Sequence, residues 1–560
     1  MRFARKILVG ASVAAMIGAF SINPALADKY GNRYGHQKRA KNVIVLIPDG
    51  CDESVQTLAR WYKNVVLEEG DLQVDSMQGG SAKIHMANSI ITGSAAAATA
   101  FATGHKTTVR FLGVGPRTDD LLPSVSPTAD AYAPVASVLE AAKLAGKATG
   151  IAVTSRVSHA TPAAFACHIE DRGWDNDITE HMVYNNVDVV FGGGARHLIS
   201  EPYTTTFGET WGAKRTDGQN LMQVLLDRGY AFVDNKEDMA ALTSGKVWGL
   251  FDDSHLDPEM DRETLHPTQP SLAEMTAKAI ELLSQDRDGF FLMVEGSQVD
   301  WAGHNNDPAY MLNDFLAFDD AVKAAVDFAE RNGNTIVLAF PDHNTGGMTV
   351  GNYGLSYTDL GENELLDPLK KMTCSANALV SNVASWDITG IQDALSTYWS
   401  IDCSDAVAQE IIDLEPSVGK SYALARVISK HYTAIGWTSH GHDAGTVPVW
   451  AYGLDIDGTL DNTELAYIMA DAMKVDLDEI TYNLYVDIKN LTDNFVIDVA
   501  NDVLTVGKAV FPLGADYMVV GGRNISLPGL TVYASGDANV AETVYISKKA
   551  ARILKKLRQI

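Results

Sequence analysis

The sequence predicts an α/β fold: a doubly wound, mainly parallel central sheet with helices on both faces, a large insertion over the functional face and a small β-rich C-terminal appendage. Three observations predict it. Continuous apolar runs of strand length recur at 42–47, 148–154, 290–295, 335–340 and 447–452, as in strands buried on both faces. Helical periodicity lies between them at 54–68, 135–145, 271–284, 310–331 and 462–473, and such alternation implies parallel pairing through helical crossovers. Polar residues gather just past the carboxyl ends of the runs, at Asp49, Glu295 and Asp342, where open α/β sheets bind their ligands.

The chain opens on Arg2, Arg5 and Lys6, an apolar stretch over 7–20, and Ala25-Leu26-Ala27 before Asp28. This reads as a signal peptide over 1–27, cleaved after Ala27 and too short to serve as a membrane anchor. A periplasmic or secreted protein with no transmembrane anchor is therefore expected. Residues 28–41 are polar and basic, a flexible N-terminal segment. The region 42–475 reads as one catalytic domain with an insertion at about 346–436, where strand–helix alternation lapses into short helices at 365–371, 390–399 and 406–412. From 476 to 560 the character turns β-rich, with runs at 483–488, 495–499, 517–520 and 530–533, and ends in a helix from Lys548 carrying six basic residues and no acid. That helix is expected to dock on the acidic body.

The body is strongly acidic. Loss of the leader's three basic residues takes the formal net charge from −27 to −30. Such a surface argues against nucleic acid as a binding partner and against docking on anionic lipid, and it requires any phosphate site to be locally positive. The four cysteines form no metal-finger pattern. In an oxidising compartment Cys374 and Cys403 can close a loop within the insertion, while Cys51 and Cys167 read as buried thiols or a second bridge.

The run Thr92-Gly93-Ser94 leads into an alanine-rich stretch of strong helix formers. Gly93 is read as a tight turn, which places Ser94 where a loop becomes a helix, beside free backbone N–H groups that favour an anion. A serine nucleophile there can attack phosphorus and leave the phosphoryl group held by those amides. Taken alone, Ser94 reads better as the cap of a buried alanine-rich helix, and the other motifs overturn that reading.

Three further stretches supply hard ligands: Asp49; the ten residues from Glu295 through Asp300 to His304; and Asp342-His343. His440 and His442 each add an imidazole ahead of the run at 447, and the spacing to Val447-Pro448 favours His442. Aspartates mixed with histidines suit zinc, whereas an all-oxygen site suits magnesium.

Together with His159-Ala160-Thr161-Pro162 and Arg172, these motifs fall in the order found in alkaline phosphatases, which the chain resembles over roughly 42–475. The resemblance implies hydrolysis of small-molecule phosphate monoesters by a homodimer, with Ser94 as nucleophile and Arg172 gripping two phosphate oxygens. It implies two zinc ions, one held by Asp300, His304 and His442 and the other by Asp49, Asp342 and His343. It also implies one magnesium ion held by Asp49, Thr161 and Glu295. His159 and Trp301 stand in the surrounding shell, at positions where enterobacterial members carry aspartate and lysine, which implies a weaker hold on phosphate. Gly93 replaces an aspartate that orients the arginine. The alternatives are a phosphodiesterase of the same superfamily, which Arg172 argues against, and a non-catalytic metal- or phosphate-binding surface protein. A sulfatase lacks its cysteine at the nucleophile position.

Overall fold

The computed structural model describes residues 39–560. The signal peptide and most of the 28–41 segment lie outside the described residues. Ten strands form the central sheet, in the order Thr459–Asp461, Gln78–Lys83, Val447–Tyr452, Thr335–Ala339, Asn42–Pro48, Phe290–Gly296, Ala148–Arg156, Val189–Gly193, Val247–Leu250 and Ala231–Val233. All run parallel except Val447–Tyr452, which is antiparallel to both of its neighbours. Asn42–Pro48 sits near the centre, with Leu46 level with Val294 on one side and Ala339 on the other.

Burial on both faces explains the unbroken apolar runs. Ile44 and Leu46 join a core with Leu272, Phe315 and Val322. Val43, Val45 and Ile47, which alternate with them, are equally buried toward the opposite face. On the first side Leu272–Leu283 packs against Pro308–Asn332, and the first of these begins with a reciprocal cap between Ser271 and Glu274. Elsewhere Ser94–Thr103 packs against both Ala160–Ala166 and Asn462–Met473. Every residue of Ser94–Thr103 is buried, so only small side chains fit around most of its circumference, and this accounts for the alanine run.

Several local expectations are corrected. Gly93 makes no tight turn: it is extended, with φ −122° and ψ 163°, and a side chain there would meet nothing within 4 Å. The strand expected at 483–488 begins on the last two residues of a helix, Leu477–Leu484, started by Asp476 accepting from the Glu479 N–H at 3.0 Å. Only Val486–Asp487 is strand. The helix expected over 54–68 is α only for Glu53–Tyr62 and then widens to a π turn at Lys63–Leu67. Short strands at Gln78–Lys83, Val189–Gly193, Val247–Leu250 and Ala231–Val233 escaped the sequence reading. Three are glycine-bearing and two have four residues or fewer, so their apolar periodicity is weak.

Within 346–436 stand five helices, three of them expected and two, Ala376–Ser381 and Lys420–Tyr432, not. All four cysteines are free thiols, so the Cys374–Cys403 bridge is not formed. The two backbones are anchored instead by hydrogen bonds, from the Trp399 indole to the Cys374 carbonyl at 2.8 Å and from Gln392 to the Cys403 carbonyl at 3.0 Å.

Residues 486–546 hold a three-stranded and a five-stranded antiparallel sheet around their own core, built on Leu504, Phe511, Met518 and Val544. A cleft between this region and the helix Asp175–Tyr184 is lined by Trp174, Glu180, His181, Asp502 and Tyr533. Burial there, with Asp502 adding to it and Arg215 opposing it, raises the Glu180 carboxyl to about 7. A carboxyl raised on folding contributes stability at low pH and loses it as pH climbs through the raised value. The melting temperature should therefore decline between about pH 5 and pH 8, and Glu180→Gln should flatten the decline, gaining about 1 kcal/mol above pH 8. Parallel melting curves of the two proteins across that range would contradict this.

Candidate functional site

The parallel strands deliver their carboxyl ends to one edge. Asp49 follows Asn42–Pro48, Glu295 is the penultimate residue of Phe290–Gly296, and Asp342 and His343 follow Thr335–Ala339. Val447–Tyr452 runs the other way, so His442, which precedes it, reaches the same edge. Gly50 has φ +76°, and a Cβ there would lie 2.7 Å from the Asp300 backbone. Only glycine lets this turn approach the helix Gln298–Asn305 so closely.

That helix carries Asp300 and His304 one turn apart, with His304 Nε2 3.4 Å from Asp300 Oδ2. His442 Nε2 completes a triad, 3.3 Å from His304 Nε2 and 3.6 Å from Asp300 Oδ1. Each imidazole is oriented by a backbone carbonyl: His304 Nδ1 donates to His440 at 2.6 Å and His442 Nδ1 to Thr92 at 2.9 Å. The structure thus separates the two candidate histidines. His442 faces the triad, whereas His440 offers its carbonyl and turns its ring toward Tyr422, 5.0 Å between centroids.

A second triad joins Asp49, Asp342 and His343, with His343 Nε2 3.6 Å from Asp49 and 3.1 Å from Asp342. The His343 and His442 rings stack at 3.6 Å, which sets the two triads side by side. A third group brings Asp49 and Glu295 together with His159. The sequence reading placed His159 outside the ligand sets, and the structure places its imidazole within this one. Thr161 is fully buried at the start of its helix.

Ser94 lies at the head of Ser94–Thr103 with its Oγ 3.2 Å from His343 Nε2. No side chain caps this helix, so the first amides remain free to bind an anion. Arg172 is anchored by its N–H on the Arg110 carbonyl at 2.9 Å, and its guanidinium donates to His159 Nε2 at 2.8 Å. His159 is thus the side chain that orients the Arg172 guanidinium. Trp301 packs edge-on to His159 and to His255, at centroid distances of 5.6 and 4.4 Å.

Sequence reasoning missed three neighbours. Thr345 Oγ1 donates to Asp300 at 2.5 Å. His255 accepts the Arg156 N–H at 3.1 Å, and Arg156 in turn pairs with Asp175 at 2.6 Å. His255 follows the short strand Val247–Leu250, so the rule that pointed to Asp49 had no recognised strand to act on.

The electrostatics are those of a cation site. Both Asp49 oxygens, Glu295 Oε1 and Thr161 Oγ1 are buried without a hydrogen-bond partner, an arrangement costly to a protein unless a cation pairs with them. Burial, and then the charges of Asp342, Asp300 and Glu295, push the Asp49 carboxyl well up. Burial raises Glu295 to about 7. Although burial opposes both shifts, mutual attraction holds Asp300 far below the usual carboxylate range and lifts His304 to about 9. The mixed carboxylate–imidazole triads and their unpaired oxygens fit divalent ions of the zinc type.

A family model for alkaline phosphatase matches residues 40–475. The chain belongs to the alkaline phosphatase family. Alkaline phosphatase 3 of Bacillus subtilis is 32% identical, over 85% of this chain and 98% of that protein. The crystal structure of Thermus thermophilus alkaline phosphatase superposes with a TM-score of 0.68 at 26% identity, over 78% of this chain and 92% of that one. A histidine-to-aspartate variant of the alkaline phosphatase from the Antarctic bacterium TAB5, with Mg bound in its M3 site, superposes with a TM-score of 0.55 at 25% identity, over 79% and 99% of the two chains. The matched region takes in all the residues of the candidate site described above. The two small sheets of 486–546 lie beyond it.

Proposed function

We propose that this alkaline phosphatase hydrolyses small-molecule phosphate monoesters through a phosphoserine at Ser94. The observation that carries this reading is the position of Ser94 Oγ, at an uncapped helix N-terminus and 3.2 Å from His343 in the second triad. Arg172 offers the planar fork that holds two non-bridging phosphate oxygens, and the free amides at the head of Ser94–Thr103 take a share of the same charge. Ser94 Oγ attacks phosphorus, and the ester oxygen departs on the far side with a proton. Water then attacks the phosphoserine and frees inorganic phosphate, so one very slow displacement becomes two faster ones.

Asp300, His304 and His442 would hold one zinc ion, and Asp49, Asp342 and His343 a second. Asp49, Glu295 and Thr161, with His159 alongside, would hold a third ion, magnesium. The unpaired oxygens of Asp49 and Glu295 support this set. When bound, such ions stabilise the attacking and leaving oxygens and lower the pKa of the serine hydroxyl and of water. Arg172 shares its guanidinium with His159, so phosphate must compete for one face of the fork, which favours release of product.

Among the described residues no helix is long and apolar enough to cross a membrane. Export by cleavage after Ala27, the homodimer and the division at 475 into catalytic domain and appendage complete the reading. The test is hydrolysis of an aryl phosphate monoester from about pH 6 to 11, before and after chelation, with metal counted. Activity that needs two to three ions per chain supports the proposal, and full activity in the chelated protein rejects it. His442→Ala should remove zinc and activity together, with a loss on the order of 10²-fold or more, whereas His440→Ala should keep both. The reverse outcome would exchange the two histidines.

A further inference from the structure

Between Val503 and Ile560 the chain carries eight lysines and arginines against three acids, in a protein whose net charge is −27. The three acids are all engaged: Asp516 by Arg228 at 2.8 Å, Asp537 by the Tyr132 hydroxyl at 3.0 Å, and Glu542 by the Tyr533 hydroxyl at 2.9 Å. The first two of these contacts face the catalytic body, so the acids are drawn inward.

The cations are arranged oppositely. The helix Lys548–Lys556 buries Ala550 and Leu554 in the core of the small sheets. Helical geometry then turns Lys549, Arg552, Lys555 and Lys556 to the opposite side, and all four are exposed. Lys549 reaches the Ser526 carbonyl at 2.8 Å, beside the strand that carries exposed Arg523. Gln559 accepts the Lys508 backbone N–H at 2.8 Å, which brings exposed Lys508 and Arg558 to the other end of the helix. Among the described residues none of these seven cations has a carboxylate within ion-pair distance. The expectation that this helix docks on the acidic body is therefore corrected: it packs on the core of the small sheets through Ala550, Ile553 and Leu554, sets Lys548 over the Tyr482 ring, and leaves its other cations facing outward. Leu557, 40% exposed, stands between Lys556 and Arg558.

We propose that this face, made of Lys508, Arg523, Lys549, Arg552, Lys555, Lys556 and Arg558 around Leu557, is a docking surface for the anionic headgroups of a lipid bilayer. The acidic body does not forbid it. At physiological salt the Debye length is about 8 Å, so charges across the molecule are screened while headgroups in contact with the cations are not. Each cation at such a surface is worth about fivefold in partitioning. The exposed leucine among the cations selects lipid over a purely polar polyanion, since it gains by entering the headgroup–acyl boundary. The phosphatase would then work beside a phosphate-bearing surface.

The test is co-sedimentation of the full chain with vesicles of phosphatidylcholine containing one-third phosphatidylglycerol, against pure phosphatidylcholine. Binding to the anionic vesicles alone, lost at about 0.5 M salt, is expected. Joint replacement of Arg552, Lys555, Lys556 and Arg558 by glutamine should weaken binding several-hundred-fold, at about fivefold per cation. The same variant should keep its melting temperature and its rate on a soluble aryl phosphate. Leu557→Ser, a milder change with all charges kept, should weaken binding several-fold. Equal sedimentation with both vesicle types, or undiminished binding by both variants, overturns the proposal. So does release of the protein by duplex DNA at a phosphate concentration equal to that of the lipid, which would assign the face to nucleic acid.

Discussion

Replacement of Ser94 by alanine is expected to lower turnover of an aryl phosphate monoester by at least about a thousandfold while leaving bound metal unchanged. The loss is large because the phosphoserine route disappears altogether. What remains is direct attack by water in a pocket that still binds phosphate through Arg172 and the helix amides. Metal should stay because neither triad uses Ser94: its Oγ touches His343 Nε2 at 3.2 Å, but the carboxylates and imidazoles are positioned by their own backbone contacts. The substitution is also mild for folding. Ser94 opens a helix whose next four residues are alanines, and it caps nothing. Rapid quenching after mixing with labelled substrate separates the outcomes. Label on the native protein and none on the variant supports the assignment, and label retained by the variant moves the nucleophile elsewhere.

Asp49→Asn is expected to release metal from two places at once and to reduce activity by a comparable factor. Asp49 is the one residue shared by two of the three ligand groups, and neither of its oxygens has a hydrogen-bond partner. Asparagine fills the same space but removes the charge and presents an N–H₂ group where a cation belongs. In the metal-free protein the same substitution should raise stability. Burial and the neighbouring Asp342, Asp300 and Glu295 all oppose ionisation at Asp49, and a neutral residue escapes that repulsion. The signature is thus a crossing: the variant is less active and poorer in metal, yet melts higher than the native protein after both are chelated. A variant that kept its full metal content would show that Asp49 bridges nothing.

The strands that carry the site were legible because they are buried on both faces. Apolar runs such as 42–47 and 290–295 announce themselves without an alternating pattern, and the polar residue ending each run marks the carboxyl edge. Strands of three or four residues, such as Ala231–Val233, hold too few side chains to show a pattern, and with them His255 was lost from view. Asp476 shows the opposite failure: a clear helix-starting signal, with Leu477, Ile480 and Leu484 on one face behind it, lost against the β-rich stretch that follows. Gly93 was over-read, since an extended backbone makes no demand for glycine.

The fold class, the order of the strand–helix units and the inventory of ligand-type residues are legible in the chain alone, because each is written in local spacing and in residue chemistry. Which of those residues meet was decided only by the tertiary structure. His440 and His442 differ by two positions in the chain, and only the reversed strand Val447–Tyr452 turns one of them toward Asp300 and His304. The packing of Arg172 against His159, and the seven cations turned to one outer face, depend likewise on residues 13 to 51 positions apart. Local sequence constrains backbone conformation over a few residues, whereas contact between distant side chains follows from the sum of all the packing between them.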